Sequence, residues 1–549
     1  MESKRTGKDR KPVPRALISL LITLVVGLVY FYVSLPAINF HAVEFYFFAG
    51  LLCAVYFFCS LLLAGVGVNG TPQEVFSFIK KQCKIPAVIL ALLLVIFLVG
   101  TVISMPIFRA AAYRDLLVPA DGDFTADVQE ISFGEIPMLD EDSAKRLGDR
   151  QMGNLPDMVS QFEVSDDYTQ INYQGRPVRV APLEYASLIK WLTNRGEGLP
   201  AYILVDMVSQ EASVVRLAEG IKYSPSEPLN RNINRFLRFR YPTYMFETPT
   251  FEIDEEGNPW WVCPRVVMTI GLFGGKDIQG AVLVNAVTGE SQYHENVPNW
   301  VDRVYLASLI MEQYDLHGVY INGFFNSVFG QKDVTVTTRG WNYIALNDDV
   351  YMYTGVTSVN SDQSNLGFLL SNQRTKETKY YAVAGATESS AQVSAEGAVQ
   401  DLRYTSTFPL LLNVSGHPTY FMALKDAGQL VKQYAMVSTV QYQAVATGTS
   451  VQECETAYIA ELMRRGLIEE AQLPVNEVSG AVQELHSAVI DGTTWVYVRL
   501  SGEKNYYALS AADNQEAAIL NVGDFVTIQA LERDTDGRIA SGTLASVVP

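Results

Sequence analysis

The sequence predicts an α+β protein with three N-terminal transmembrane helices, followed by extracytoplasmic helix-plus-antiparallel-sheet domains and a small C-terminal β-barrel. Three apolar runs, each about 20 residues or longer, lie near the start and are long enough to cross a hydrocarbon core roughly 30 Å thick. Lysine and arginine flank these runs on one side only. Alternating apolar and polar segments with Gly, Asn and Asp turns follow, which is typical of antiparallel strands.

The apolar runs span about 16–35, 43–66 and 86–108. Basic residues precede the first run and lie between the second and third, whereas the loop between the first and second has no lysine or arginine. Because basic residues favour the cytoplasmic side of short loops, we expect a cytoplasmic N-terminus and an extracytoplasmic region after Phe108. The first run is long for a signal peptide and no small-x-small cleavage site follows it, so we expect it to be retained. These features predict a multi-pass protein of the bacterial cell membrane.

Charge and cysteine usage exclude several classes of protein. The formal charge is −18, and residues 1–108 carry nine basic against four acidic residues, which leaves −23 for the rest. So acidic a region repels phosphate backbones, and nucleic-acid binding is not expected. The five histidines and five cysteines have no metal-ligand spacing, so we expect neither a metal nor a cofactor. Cys263 and Cys454, the two cysteines beyond Phe108, are expected to be buried free thiols rather than a disulfide.

Turn and linker signals divide the chain into successive regions. Gln174-Gly175 interrupts an alternating stretch and predicts a hairpin, and a helix from Val451 stops at Gly466 with arginines in its last turn. The expected regions are a membrane domain (1–108), a stalk and connector (109–163), two α+β domains (164–330 and 331–466), a linker (467–479) and a β-barrel (480–549).

Two segments, 241–290 and 388–448, share an order of turns and strands. In the first, Gly257-Asn258-Pro259 precedes an aromatic strand, a Lys-Asp turn and a returning strand. In the second, Gly416-His417-Pro418 occupies the position that corresponds to Gly257-Asn258-Pro259. A helical run can precede each, so the pattern predicts an internal repeat of a helix-plus-hairpin unit. The alternative is that Gly-x-Pro and Lys-Asp are simply common turn residues.

The closing strand of the first segment, VLVNAVTGE, resembles that of PepSY-type domains. The residues that carry the resemblance are Val284, Ala286, Thr288, Gly289 and Glu290. The resemblance implies a small helix-and-hairpin module of the kind found in extracytoplasmic bacterial proteins, where such modules inhibit or bind other proteins. The second segment, which ends in Ala446-Thr447-Gly448, matches less closely.

The C-terminal region, 480–549, reads as five strands with a helical stretch before the fourth, and it resembles an OB-fold. Its nine acidic residues against four basic ones give a net charge of −5. A nucleic-acid groove needs cations beside stacking aromatic residues, and here only the aromatic residues are present. We therefore expect a structural or protein-binding module.

Candidate catalytic and binding residues are few. No GxSxG, SxxK or Walker pattern occurs, and the GLFGGKD segment at Gly271 is expected to be a hairpin turn rather than a phosphate cradle. The strongest acidic candidates are Asp348 and Asp349, with Asp362 nearby, although adjacent aspartates are commonly solvated turn formers. Candidate docking charges are Asp302, Arg303, Arg374 and Lys376.

The sequence thus favours a non-enzymatic membrane-anchored protein that binds or regulates another envelope or membrane protein. One helix would be enough for a tether, so three suggest contacts within the bilayer. The alternative is a cell-envelope hydrolase with carboxylates about 5 to 10 Å apart around a cleft, drawn from Asp302, Asp348, Asp349 and Glu388. A third hypothesis, a cytoplasmic ligand or nucleic-acid module at the C-terminus, needs the opposite topology.

Overall fold

The computed structural model describes most of the chain, and the ranges below mark its extent. Asp362 and the basic residues before Arg15, which the sequence analysis used, lie outside the described residues. The described residues are 15–64, 73, 76–78, 80, 83–128, 136–346, 348–359, 364–468, 475–490, 493–511, 515–531 and 539–548.

Three N-terminal helices are long and apolar enough to cross a membrane, as predicted. They are α1 (Arg15–Ser34), α2 (Val43–Ala64) and α3 (Lys84–Ile103), with mean hydropathies of 2.5, 2.3 and 2.9. The third ends five residues earlier than predicted, and a separate helix α4 (Pro106–Arg114) follows. Met105 is extended because a proline disfavours helical backbone at the residue before it, and Pro106 then starts α4.

Helices α1 and α2 pack closely through small residues. Ser19, Thr23 and Gly27 are the buried residues of α1 and recur every four positions, on one face. A Cβ atom on Gly27 would lie 2.7 Å from Leu52 Cδ2 of α2. Small residues allow helices to approach this closely in apolar surroundings.

Beyond α4 the described chain contains four sheets with one shared topology, here called units 1 to 4. In each, a helical segment precedes the five strands of the sheet, and the first and second strands both pair with the third; a short strand at 364–365 in unit 3 pairs outside the sheet and is not counted. The third, fourth and fifth strands then form an antiparallel meander. The sequence predicted a helix-plus-hairpin repeat at two places, 241–290 and 388–448, which lie in units 2 and 4. Units 1 and 3 are two further copies, which use different turn residues.

The bounds of the units are as follows. Unit 1 contains α6 (Glu141–Gly153), α7 (Pro156–Val159), β2 (Phe162–Val164), β3 (Thr169–Tyr173), β4 (Arg176–Tyr185), α8 (Leu188–Asn194), β5 (Leu199–Asp206) and β6 (Ala212–Ile221). Unit 2 contains α9 (Ile233–Arg240), β7 (Met245–Phe246), β8 (Thr250–Ile253), β9 (Pro259–Ile270), β10 (Gly274–Asn285) and β11 (Ser291–His294). The connector before unit 1 holds β1 (Ala120–Asp121) and α5 (Phe124–Asp127).

Unit 3 contains α10 (Ala307–Val319), a π-helical turn (Asn326–Gly330), β12 (Thr335–Thr337), β13 (Asn342–Leu346), β14 (Asp349–Ser358), β15 (Ser364–Asn365), β16 (Gly367–Asn372) and β17 (Thr378–Tyr381), with β1 added in parallel beside β17. A short strand β18 (Gly385–Ala386) pairs with β15. Unit 4 contains α11 (Glu388–Ala398), β19 (Thr405–Ser406), β20 (Leu410–Val414), β21 (His417–Lys425), β22 (Val431–Ser438) and β23 (Val445–Gly448), followed by α12 (Val451–Arg464).

Each unit contacts the next, and unit 4 returns to unit 1. One large apolar cluster is shared by units 1 and 2 and another by units 3 and 4. Polar contacts join the remaining neighbours: Lys376 pairs with Asp277 between units 3 and 2, and Lys425 pairs with Asp140 between units 4 and 1. The predicted boundary between 330 and 331 falls inside unit 3, whose helix α10 precedes it.

Apolar residues at helical spacing predict a helix over 183–194 and another over 298–316, and the structure differs from both predictions. In the first run β4 continues to Tyr185 and α8 begins only after the Ser187 cap. In the second run α10 starts at Ala307. The backbone N–H groups of Val304 and Tyr305 instead donate to the Gln373 carbonyl, so hydrogen bonds to another sheet replace the first helical turns.

The C-terminal strands pair in a cyclic order. The strands are β24 (Val475–Ile490), β25 (Thr493–Leu500), β26 (Tyr506–Ser510), β27 (Phe525–Leu531) and β28 (Ile539–Val548). Strand β24 pairs with both β25 and β27, β26 pairs with β25 and β28, and β28 pairs with β27. A short 3-10 helix (Gln515–Ile519) precedes β27.

Candidate functional site

The tip of the β9–β10 hairpin lies against the end of α3. The Ser104 hydroxyl donates to the Gly100 carbonyl at 2.7 Å and accepts from the backbone N–H groups of Leu272 and Phe273 at 2.9 and 3.0 Å. A Cβ atom on Gly100 would lie 2.5 Å from Leu272 Cδ2, so glycine permits the approach. The GLFGGKD segment is thus a hairpin turn, as predicted, but its tip contacts the apolar helices.

Aromatic rings surround the same tip. The Phe273 ring lies 5.3 Å from the Phe97 ring of α3 and 5.5 Å from the Tyr46 ring of α2. Nδ1 of His41, in the α1–α2 loop, lies 2.9 Å from the Leu272 carbonyl oxygen. Ring centroids at these separations interact favourably beyond simple burial. The tip is therefore anchored to α2, α3 and the α1–α2 loop.

Helix α9 of unit 2 holds the end of α1. The Arg238 side chain is buried, and its Nε donates to the Leu35 carbonyl at 2.8 Å. Arg235, one turn earlier, donates to the Tyr32 carbonyl, and its guanidinium lies 4.2 Å from the Tyr32 ring centroid. Residues three apart share one face of a helix, so α9 presents both arginines to α1. We call these contacts of α9 and the hairpin tip the helix dock.

A second polar cluster lies where units 1, 2 and 3 meet. Glu252 of β8 is fully buried, and its carboxylate accepts from the backbone N–H groups of Asp302 and Arg303 at 2.9 and 3.1 Å. Asp302 is also buried and accepts from the Asn172 backbone N–H at 2.6 Å. The Asn172 side chain donates to Asp348 at 3.0 Å. We call this cluster, together with Asp349 and Arg374, the polar junction.

Burial dominates the electrostatics of the junction. Loss of hydration raises the pKa of Glu252 to about 7, although the two backbone donors oppose the shift. The pKa of Asp302 is raised well above its ordinary value, first by burial and then by the neighbouring Glu252 charge. Two carboxyl groups placed this way resist simultaneous ionisation.

Asp349 and Arg374 close the junction on the side of unit 3. Arg374 donates from Nε and from a terminal nitrogen to the two Asp349 oxygens at 2.7 and 2.8 Å, a bidentate ion pair. The Asn372 side chain donates to the same carboxylate at 2.7 Å. Both Asp349 oxygens are therefore engaged by groups of unit 3.

The structure brings together most residues that the sequence singled out. Asp302, Arg303, Asp348, Asp349 and Arg374 all belong to the junction or touch it. Lys376 lies on the same turn as Arg374 but pairs with Asp277, 2.8 Å away. Sequence reasoning missed Glu252 and Asn172, because a polar residue between apolar neighbours in a strand usually indicates a solvent-facing position.

Glu388, also considered as an acid, lies in a different buried network. It accepts from the Tyr353 hydroxyl at 3.0 Å, and burial raises its pKa. A Cβ atom on Gly355 would lie 2.3 Å from the Glu388 carboxylate and 2.4 Å from Asn365 Nδ2. This network joins unit 3 to α11 of unit 4.

The junction offers no group arranged for metal binding. Among the described residues, no three His, Cys, Asp or Glu side chains are grouped to hold a metal ion. Cys263 and Cys454 are both buried and free. In the junction, backbone N–H groups donate to the Glu252 and Asp302 carboxyl groups, and Arg374 pairs with Asp349, so these contacts join units 1, 2 and 3.

Comparison with known proteins returns little. No protein-family model matches the chain, and no curated protein sequence matches it. Among solved structures, the crystal structure of a B. megaterium levansucrase mutant aligns over 76% of this chain and 93% of its own. The identity is 9% and the TM-score 0.18, so this likeness carries no argument about fold or function.

Proposed function

We propose that the chain is a non-enzymatic, membrane-integral binding or regulatory protein of the bacterial cell envelope. In this proposal α1–α3 cross the membrane, the N-terminus is cytoplasmic and the sheet units lie outside the cytoplasm. The observation that carries the proposal is the helix dock. Arg238 and the Leu272 tip hold unit 2 directly on the ends of the apolar helices. A protein bound to the units would therefore act on the helices as well.

The state of the acidic candidates supports a binding role. Asp349 is held in a bidentate ion pair, and both Glu252 oxygens accept backbone hydrogen bonds. Groups engaged in this way serve the packing of the units. The PepSY-like residues 284–290 belong to unit 2, which also forms the dock. We propose that unit 2 is a PepSY-like interaction module and the cyclic C-terminal strands an OB-like protein-binding module.

An apolar cleft among the three helices supports a partner within the bilayer. The cleft has a volume of about 1130 Å³ and lies between α1, α2 and the start of α3. Leu20, Leu24 and Leu28 line one wall and Leu52 another. We propose that a transmembrane helix of the regulated protein packs there.

Sidedness tests the topology of this proposal. Single cysteines would replace Val393 on α11 and Lys80 between α2 and α3, in a background with the five native cysteines changed to serine. Both positions are exposed. In intact cells a membrane-impermeant maleimide should label the Val393→Cys protein, whereas the Lys80→Cys protein should react only after lysis. The reverse pattern would overturn the proposal.

A cell-envelope hydrolase is the second candidate, and one observation favours it. The raised pKa values of Glu252 and Asp302 suit a general acid, because catalytic acids must stay protonated near neutral pH. Asp348 is exposed and its backbone is left-handed, with a φ of 69°, so asparagine, which tolerates that conformation, is the suitable replacement. Hydrolysis of cell-wall material by the purified protein, abolished by Asp348→Asn or Asp302→Asn at unchanged thermal midpoint, would establish it. Equal behaviour of wild type and both variants would exclude these acids.

A further inference from the structure

Two apolar patches flank the points where the sheet units meet the apolar helices. The first is on α8, where Leu188, Ile189 and Leu192 share one face, and the second is the turn containing Phe325, Val328 and Phe329. All six side chains are more than half exposed. Exposed groups of large apolar side chains usually mark an interaction site.

The α8 patch is connected to the end of α1. Trp191 lies on the buried side of α8, and its indole N–H donates to Glu227 at 2.6 Å. The chain then runs through Leu229 and Asn230, and the Leu229 carbonyl accepts from Arg235 at 2.7 Å. Arg235 is the dock residue that contacts Tyr32. In the same loop, Arg231 donates to the Arg195 carbonyl at the end of α8 and Asn230 accepts from the Tyr32 hydroxyl at 3.5 Å, so this loop contacts both α8 and the end of α1.

The phenylalanine turn is connected to the end of α3. The ring of Tyr320 lies 6.3 Å from that of Tyr113 on α4 and stacks on Phe324 at 6.4 Å. Nδ1 of His317 lies 2.9 Å from the Arg114 carbonyl oxygen. Helix α4 begins three residues after α3 ends, so this turn lies at the same membrane boundary as the dock.

We propose that both patches insert into the lipid leaflet that faces the sheet units, so that this side of units 1 and 3 rests in the membrane. The inference rests on the proposal that α1–α3 span a bilayer. Lipid is favoured as the occupant because each patch is linked to the end of a spanning helix: the α8 patch through the loop that contacts Tyr32, and the phenylalanine turn through α4. Apolar side chains at the level of the headgroups bury their surface in the acyl boundary, as interfacial amphipathic helices do. Lys190 and Arg195 beside the α8 patch can meet lipid phosphates.

The test uses nitroxide labels on the full-length protein in lipid nanodiscs. Ile189→Cys and Phe329→Cys report the two patches, in a background with the native cysteines changed to serine. Val25→Cys, exposed on α1, is the lipid control, and Val393→Cys, exposed on α11, is the aqueous control. Power saturation with oxygen and with a water-soluble nickel complex measures the depth of each label.

Labels at 189 and 329 should be more accessible to oxygen than to the nickel complex, as the label at 25 should be, and the label at 393 should show the reverse. If 189 and 329 resemble 393 while 25 remains in lipid, the inference is wrong and the membrane-integral proposal stands. If only one of the two patches inserts, the proposal that both rest in the same leaflet is also wrong. If 25 itself resembles 393, the membrane-integral proposal fails, and the inference fails with it.

Discussion

The Ser104 hydroxyl of α3 accepts a hydrogen bond from the backbone N–H of Leu272 at 2.9 Å. Its own proton goes to the Gly100 carbonyl, and it also accepts from Phe273. Ser104 and Gly100 thus both contact the hairpin tip. The Ser104 hydroxyl accepts its hydrogen bonds, and Gly100, which has no side chain, leaves space for Leu272. The contact joins residues 168 positions apart in the chain and fixes how the sheet units lie on the helices.

Gly100→Ala should weaken this contact. The added methyl would lie 2.5 Å from Leu272 Cδ2 and 2.9 Å from Leu272 Cβ, so the tip must move. We expect a loss of about 1–3 kcal/mol, the usual range for overpacking. The measurement is the thermal midpoint in nanodiscs, which should fall by roughly 2–6 °C.

Gly50→Ala is the matched control, because a Cβ atom there meets nothing within 4 Å. Alanine favours a helix over glycine by about 1 kcal/mol, so this variant should be neutral or slightly more stable. Equal thermal midpoints for the two variants would contradict the assigned contact.

Arg374→Met should destabilise the polar junction. It leaves the largely buried Asp349 carboxylate with only Asn372 among the side-chain donors described above. Removing one partner of a buried ion pair costs about 3–5 kcal/mol, and the partial exposure here points to the lower end of that range. The thermal midpoint of the purified protein checks this.

Arg114→Met provides the comparison, since Arg114 and Asp115 form an exposed ion pair. Solvent screens exposed pairs, which contribute little to stability, so little change is expected. In addition, Asp349→Asn should recover part of the loss caused by Arg374→Met, because it removes the unpaired charge. Additive losses in the double variant would argue against the ion pair.

Stability should depend on pH through the junction. Burial raises the pKa of Glu252 from 4.5 to about 7 and that of Asp302 well above 3.8, so the folded protein holds protons that the unfolded chain releases. The free energy of unfolding should therefore fall as the pH rises from about 4.5 towards 7. The slope is at most about 1.4 kcal/mol per pH unit for each titrating group.

Glu252→Gln should flatten this dependence, which thermal unfolding between pH 5 and 7.5 would measure. Glu461→Gln is the control, because arginine partners lower the pKa of Glu461 to about 2, below the window. If Glu252→Gln and wild type lose stability in parallel across the window, Glu252 is not the titrating group.

Gly355→Ala should disrupt the contact between units 3 and 4. Its methyl would lie 2.3 Å from the Glu388 carboxylate, in a buried network with little room to relax. We expect a loss of about 1–3 kcal/mol. Gly397 is an exposed position of α11, and a Cβ atom there would meet nothing within 4 Å. Gly397→Ala should therefore be neutral or stabilising. Comparable thermal midpoints for the two variants would show that the network tolerates the methyl.

The parts of the fold that the sequence predicted best are those set by local pattern. The three apolar helices follow from composition alone. Asp302 and Arg374 were named as candidate docking charges, but nothing in the sequence places them together. The partners of Asp302, Asn172 and Glu252, lie on strands far away in the chain. Glu252 was missed because Phe251-Glu252-Ile253 alternates like a half-exposed strand, whereas neighbouring units cover both faces of β8.

The internal repeat was also predicted only in part from the sequence. Units 2 and 4 share a Gly-x-Pro turn, so the sequence revealed them. The corresponding turns of units 1 and 3 lie at Gln174-Gly175 and near Asp348. These turns also need a left-handed backbone, but their residue types differ from the Gly-x-Pro of units 2 and 4. All four units have the same strand order. Backbone hydrogen bonds define that order, and because every residue type can make them, the order cannot be read from the residue types.

Strand β9 has a mechanical consequence. One end, Trp260, pairs with Glu252 in the polar junction, and the other, Ile270, leads into the tip held by Ser104. About ten residues separate these ends, which at about 3.3 Å per residue makes a ribbon some 33 Å long. A paired strand of this length acts as a lever arm. A tilt of a few degrees at the junction would displace the tip by one or two ångströms, enough to reposition a helix end.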